Sequence, residues 1–167
     1  SINGSHSRPP VLVQSGATLA GTGTIGDIGT YAGTFGIVAP GNSPGLLTCS
    51  NATFRSGGTF SVQITGPTAG TDYDQLVVRG TFAPTNCSLF IDLAFTKPVA
   101  VGQQFTIVDN DGSDPVGGIF AGYPGGSSWL QNGYAASISY VGGTGNDVVL
   151  TLTQVPGASV NSAATVS

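Results

Sequence analysis

The sequence predicts an all-β protein with almost no helix, in which short strands stack on one another as in a β-solenoid. Three observations carry this prediction. Apolar and polar residues alternate in short runs, and 27 of the 167 residues are glycine. No long segment combines helix-forming residues with a 3.6-residue apolar period. Strands this short and glycine-rich specify their register weakly, so stacking on neighbouring coils would have to fix it.

We divide the chain into three segments. Residues 1–10 are polar and end in a double proline, which indicates an N-terminal tail or a strand that pairs elsewhere. Residues 11–154 are expected to form a single β-solenoid-like domain. Residues 155–167 carry no charge and little bulk, which is typical of a C-terminal linker or tail.

The first part of the domain, residues 11–37, is the richest in glycine. Its apolar residues recur every two positions within short runs, with glycines between the runs. Such strands with glycine corners predict solenoid-like coils. The recurring apolar residues are Val11, Val13, Leu19, Ile25, Phe35 and Ile37.

A tight corner is predicted at residues 38–48, where Pro40-Gly41 and Pro44-Gly45 lie four residues apart. Proline presets a φ near −65°, and glycine provides the positive φ of a sharp reversal. Beyond this corner the predicted strands lengthen and alternate cleanly. We expect them at residues 46–49, 59–64, 75–78, 88–93, 104–108, 136–140 and 147–153. A β-sandwich or jelly roll would show the same pattern and stays open as the alternative.

The composition excludes several classes of function. Only 7% of the residues are charged, against roughly 25% in an average globular domain. Four Lys and Arg residues and a net charge of −4 disfavour nucleic acids and anionic membrane surfaces as partners. No apolar run is long enough to predict a membrane-spanning segment. These features are typical of an extracellular β protein covered with hydroxyl and amide groups.

Cys49 and Cys87 are the two cysteines of the chain. An even pair in a sequence of secreted character predicts one disulfide. Two buried free thiols are the alternative, because a free cysteine packs as a small apolar residue.

Several segments together resemble a known family. Residues 13–26, the double Pro-Gly corner at 40–45, and residues 72–80, 116–120 and 140–150 follow one another in a specific order. This order resembles the C-terminal part of autotransporter passenger-like proteins with the autotransporter-associated β-strand repeat. The resemblance implies a right-handed parallel β-helix that ends in longer, partly antiparallel strands. It also implies export to the extracellular space or the bacterial cell surface.

Two loops contain candidate polar chemistry. Asp109, Asp111, Ser113 and Asp114 offer hard oxygen ligands on one tight segment, which predicts a calcium site, with a plain polar turn as the alternative. Calcium is the only cofactor that we consider. Asp72 and Asp74 would place two carboxylates on one face of a strand, as in a glycosidase. Any Asp-x-Asp strand produces that spacing, so we predict no catalytic residues and no enzyme.

The C-terminal third contains four aromatic residues separated by small polar ones: Tyr123, Trp129, Tyr134 and Tyr140. They predict a sugar-stacking platform, with anchoring in the core as the alternative. Our leading hypothesis is a non-enzymatic, secreted or cell-surface structural protein for adhesion or assembly, including the subunit of a self-assembling extracellular filament. Its partners would be copies of itself or other surface proteins. A carbohydrate-binding module, with glycans as partners, is the alternative function.

Overall fold

The computed structural model describes residues 9–41 and 44–157, and these residues form strands and turns with no helix. The predicted tail at 1–10 and linker at 155–167 lie largely outside the described residues. The strands are β1 (Val11–Val13), β2 (Thr18–Gly21), β3 (Gly23–Thr24), β4 (Ile28–Thr30), β5 (Ile37–Pro40), β6 (Leu46–Cys49), β7 (Ala52–Arg55), β8 (Thr59–Ile64), β9 (Gln75–Val78), β10 (Phe82–Thr85), β11 (Ser88–Leu93), β12 (Gln104–Asn110), β13 (Ser128–Gln131), β14 (Tyr134–Gly142) and β15 (Asp147–Gln154).

The strands form three sheets, and every third strand up to β12 joins the same sheet. Sheet A has the order β1-β4-β7-β10, sheet B the order β2-β5-β8-β11, and sheet C begins with β3-β6-β9-β12. All neighbours in these series are parallel. Each strand triplet (β1–β3, β4–β6, β7–β9 and β10–β12) therefore contributes one strand to each sheet.

The C-terminal end of the chain changes direction and extends sheet C. Strand β15 pairs antiparallel with β12, β14 pairs with β15, and β13 pairs with β14. The prediction of an all-β chain with almost no helix is confirmed. Four predicted strands, at residues 46–49, 59–64, 75–78 and 88–93, have the bounds seen in the structure.

The inward faces of the three sheets enclose one apolar core. Strand alternation builds it: in β8, Phe60, Val62 and Ile64 are fully buried, and the residues between them are partly exposed. At its centre Phe60 stacks on Phe54, with the ring centroids 5.7 Å apart, and on Phe120 at 5.8 Å. Sheets A and B and the chain after β12 are thus joined by aromatic contacts.

The alternation at the start of β5 differs from the apolar recurrence that the sequence indicates. Phe35 is 71% exposed and Ile37 also faces outward, whereas Val38 is fully buried. The cause is Gly36, which lies inside against the preceding triplet. A Cβ atom there would be 2.7 Å from the Val13 carbonyl oxygen. Only glycine fits this close approach, and its inward position sends residues 35 and 37 outward.

A ladder of polar side chains connects successive triplets at the corner that leads into sheet A. The Asn51 side-chain amide donates a hydrogen bond to Asp27 Oδ1 at 2.9 Å. Asn51 Oδ1 in turn accepts from the Thr81 backbone N–H at 2.9 Å. These three residues precede β4, β7 and β10 respectively, so the ladder satisfies corner backbone groups and fixes the vertical alignment of the strands.

The buried aromatic stack provides a stability test. Phe60→Ala would remove a ring that touches two other rings, and we expect it to lower the free energy of unfolding by about 3–5 kcal/mol. Phe35→Ala is the matched control, because it deletes an equally large but exposed side chain. Urea unfolding followed by tryptophan fluorescence measures both. Equal losses for the two variants would contradict the placement of these rings.

Candidate functional site

The predicted Pro-Gly corner carries the chain from β5 in sheet B to β6 in sheet C, and a buried carboxylate holds it there. Asp74 Oδ1 accepts a hydrogen bond from the Gly45 N–H at 2.8 Å, and its Oδ2 accepts from the Gln63 N–H at 2.9 Å. Gly41 has a φ of +87°, and a Cβ there would be 2.2 Å from Gly45 N. Burial raises the pKa of Asp74, and its two hydrogen bonds oppose that shift.

Asp72 is also buried, and its carboxylate also binds groups of the neighbouring loops. Its Oδ1 forms an ion pair with Lys97, and its Oδ2 accepts a hydrogen bond from the Thr68 N–H at 3.1 Å. The hydrogen bond from Lys97 is the main reason that the pKa of Asp72 is lowered. The side chains of Asp72 and Asp74 thus have every oxygen hydrogen-bonded within the protein. These hydrogen bonds give both side chains a structural role, because they hold loop and corner backbone groups in place.

The ion pair predicts a pH dependence. A carboxylate whose pKa is lowered in the folded state stabilises the fold above its ordinary pKa of about 3.9, and this contribution is lost as the pH falls below that value. Lys97→Gln should therefore flatten the loss of unfolding free energy below about pH 4. Urea unfolding at a series of acidic pH values measures it. Arg55→Gln is the control, because Arg55 is exposed and forms no ion pair within the described residues. An unchanged acid profile in the Lys97 variant would contradict the role of the pair.

The predicted calcium site at Asp109, Asp111, Ser113 and Asp114 stays a prediction, with the polar turn as its alternative. Within residues 9–41 and 44–157, no group of three or more acidic, histidine or cysteine side chains is placed to hold a metal ion. Asp109 lies within β12, whereas the other three residues follow that strand. In the described part of the chain, Asn110 Oδ1 and Asp114 Oδ2 are buried without a hydrogen-bond partner.

Amide side chains hold that turn together. Asn110 Nδ2 donates to the Asp114 carbonyl at 3.0 Å, and Asn146 Nδ2 donates to the same carbonyl at 3.2 Å. The Asn110 N–H donates to Asp147 Oδ1 at 3.0 Å. Burial, the first cause, and then the Asp147 carboxylate raise the pKa of Asp109. The loop therefore docks on the turn before β15 through hydrogen bonds.

The four residues of the predicted aromatic platform, Tyr123, Trp129, Tyr134 and Tyr140, are partly buried and pack against the core. Tyr123 and Trp129 meet edge to face at 5.4 Å, while Tyr134 packs on Phe95 at 4.6 Å. The Tyr140 hydroxyl donates to the Tyr123 carbonyl at 2.7 Å and accepts from the Phe120 N–H at 3.0 Å. These contacts support the alternative of anchoring in the core, and the sugar-stacking platform stays a prediction.

The predicted disulfide is absent, and Cys49 and Cys87 are buried free thiols. Cys49 lies just before β7 and Cys87 just after β10, which are neighbouring strands in register. The two cysteines thus flank opposite ends of sheet A. A four-residue strand spans about 10 Å, whereas a disulfide requires Cα atoms about 4.4–6.8 Å apart. The sequence could not reveal this, because it does not show which corners face each other.

Burial raises the pKa of both thiols to about 12, so almost no reactive thiolate exists at neutral pH. We expect the native, unreduced protein to resist Ellman's reagent at pH 8. In denaturing guanidinium chloride both thiols should react without prior reduction, and a pre-reduced sample is the control. A denatured sample that shows reactive thiols only after reduction would instead establish a disulfide.

The first triplet lies at one end of all three sheets, and its first two strands have no neighbour on their outer side in the described part of the chain. Strand β1 is the outermost strand of sheet A, and β2 is the outermost strand of sheet B. Leu12, the central residue of β1, is 44% exposed. Parallel strands bond to each neighbour through alternate residues, so the other residues of β1 and β2 direct their backbone groups outward. We call this surface the open end.

The opposite end of sheet A is covered by the chain itself, and the opposite end of sheet B is contacted by the chain at the last residue of β11. Residues 116–121 run along β10, where the Gly117 N–H donates to the Phe82 carbonyl at 2.7 Å and the Ala121 N–H donates to the Cys87 carbonyl at 2.8 Å. At the end of β11, the Gln131 side chain accepts from the Leu93 N–H at 2.9 Å. We call this surface the capped end. At this end, sheet C terminates in strand β13.

A groove of about 540 Å³ lies on the outer face of sheet B, and the sequence analysis did not identify it. Its lining includes Ala20 of β2, Ala39 of β5, Ser61 of β8 and Phe90 of β11. Phe90 is 56% exposed. The signal was present in the sequence: alternation in the predicted strand at 88–93 places Leu89 and Ile91 inside and therefore Phe90 outside.

No protein-family model matches the chain, and the search of curated proteins also found no match. The resemblance to the autotransporter-associated repeat therefore stays a prediction. The described residues contain no helix that is long and apolar enough to cross a membrane.

Proposed function

We propose that this chain is a non-enzymatic structural module of the bacterial cell surface or extracellular space, whose copies associate end to end. The observation that carries the proposal is the asymmetry between the open end and the capped end. Exposed strand edges pair readily with another chain, and a head-to-tail contact between two different surfaces extends into a filament when it does not close into a ring.

The proposal includes the solenoid architecture that the sequence indicates. Parallel pairing of every third strand in three sheets supports a parallel β-helix of four turns. A jelly roll or sandwich is built from antiparallel strands. Among the strands of the described residues, antiparallel pairing occurs in sheet C between β12 and β15, β14 and β15, and β13 and β14, and outside them at the isolated bridges Gly21–Gly41 and Ile64–Tyr73. The same arrangement is what the resemblance to exported passenger-like proteins implies.

The chemistry of the open end supports association. Natural edge strands are protected by charged residues, proline or bulges. Strands β1 and β2 contain no charge and no proline, and Leu12 exposes its side chain beside the free edge. At the capped end, β13 is the outer strand of sheet C, is also uncharged, and exposes 67% of Leu130. We assign β13 and its surroundings as the surface that receives the open end of the next copy.

Leu12→Lys tests the proposal, because a buried lysine at the edge would oppose docking of a second strand. We expect the wild-type chain to form concentration-dependent oligomers in sedimentation velocity and rods in negative-stain images, and the variant to stay monomeric. Thr53→Lys is the matched control. Leu12 pairs in register with Gly29, and Gly29 pairs with Thr53, so all three lie on the same face of sheet A. The strand of Thr53, β7, has a neighbouring strand on both sides.

A mixing experiment tests the head-to-tail geometry. Leu130→Lys should also yield monomers, since it blocks the receiving surface. A mixture of the Leu12→Lys and Leu130→Lys variants retains one intact surface of each kind, so it should form dimers that grow no further. The proposal fails if the wild-type chain is monomeric at every concentration, or if Thr53→Lys abolishes association equally.

A further inference from the structure

We propose that the groove on the outer face of sheet B binds an uncharged oligosaccharide. The groove crosses all four strands of the sheet, which corresponds to about 14 Å at the usual strand spacing. Its volume of about 540 Å³ lies within the range of small-molecule sites. No residue of this groove belongs to the predicted aromatic platform, so the site is a different one.

Phe90 provides the apolar surface that recognises a sugar ring. Strand β11 holds it between the buried residues Leu89 and Ile91, so its backbone is rigid while its side chain faces solvent. The ring face can stack against the C–H groups of a pyranose, which combines burial with a defined orientation.

The floor beside Phe90 is built from small side chains. Phe90 pairs in register with Ser61, and Ala20 pairs with Ala39 on the next two strands. These residues leave the backbone of the sheet accessible from outside. An oligosaccharide with one ring stacked on Phe90 can therefore continue across Ser61 and Ala39 without a steric barrier.

Polar groups border the floor on one side. Gln63 and Asp92 are neighbours in register, and Gln63 Nε2 lies 3.5 Å from Asp92 Oδ2. Amide and carboxylate groups can accept and donate the hydrogen bonds that sugar hydroxyls require. Asp74 forms the deeper wall, but its oxygens already accept backbone hydrogen bonds, so we assign direct binding to Gln63 and Asp92.

The charges of the groove lining determine which classes of ligand it disfavours. Among the described residues, the lining contains two aspartates and no lysine, arginine or histidine. An acidic polysaccharide or a phosphate would be repelled, whereas a neutral glycan can hydrogen-bond to the carboxylate. The exposed Phe90 ring and the hydrogen-bonding groups of Gln63 and Asp92 favour a neutral, hydroxyl-rich ligand.

The test is a binding assay on the full chain with cellohexaose, maltohexaose and chitohexaose as neutral probes and polygalacturonate as the acidic probe. We expect at least one neutral hexasaccharide to bind and polygalacturonate not to bind. Phe90→Ala should weaken that binding at least about tenfold, and Asp92→Asn should weaken it less. Phe90→Trp should retain it. Phe35→Ala is the matched control, because Phe35 is also exposed but lies outside the groove, and it should bind like the wild type.

The proposal is overturned if none of the neutral probes binds, if polygalacturonate binds better than they do, or if Phe35→Ala and Phe90→Ala lose binding equally. A change in the oligomeric state of Phe90→Ala without glycan binding would assign the groove to a contact between copies and would equally overturn it. Circular dichroism of each variant verifies the fold. The outcome is independent of end-to-end association, which uses strand edges and not this face.

Discussion

The in-register parallel pairing of every third strand is the constraint on which the rest of the structure depends. Strands of two to four residues form β1 to β7, too short to persist alone. Pairing with the equivalent strand of the next triplet satisfies their backbone groups and places like positions above one another. The aromatic stack around Phe60 and the polar ladder through Asn51 both follow from this alignment. A slip of one residue would exchange the inward and outward faces and destroy both.

Asp74 shows how the stack accommodates tight corners. A chain that turns from sheet B to sheet C within a few residues leaves backbone N–H groups without strand partners, and burial makes each unpaired group costly. One carboxylate satisfies two of them, at Gly45 and Gln63. The raised pKa of Asp74 reflects the cost of burying that charge. The same corner forms the wall of the sheet B groove, so the interaction that closes the fold also shapes a surface site.

Alternation predicted the bounds of β8 and β11 because each of these strands has a regular apolar face over six residues. The other two matching strands are short apolar runs, and β9 is buried at all four positions. Alternation missed β7 and β10 for physical reasons: β7 is separated from β8 only by Ser56, Gly57 and Gly58, and β10 contains Pro84, which normally argues against a strand. The disulfide prediction rested on two residues of the same type. Its outcome depended on which corners meet across the stack, and local sequence patterns contain no such information. Phe90 is the exception, since alternation alone places it outside.

The two proposed surfaces lie in perpendicular directions, and this separation has a functional consequence. Association through strand edges extends the stack along its axis, while the groove opens sideways from the face of sheet B. Copies joined end to end would therefore repeat the groove at regular intervals without covering it. A shallow groove with one aromatic residue binds a single oligosaccharide weakly. A row of such grooves along one filament would bind a long polysaccharide with much higher avidity, because each additional contact becomes intramolecular. Assembly and glycan recognition would then act together, because the assembled filament would adhere to polysaccharide through many repeated grooves.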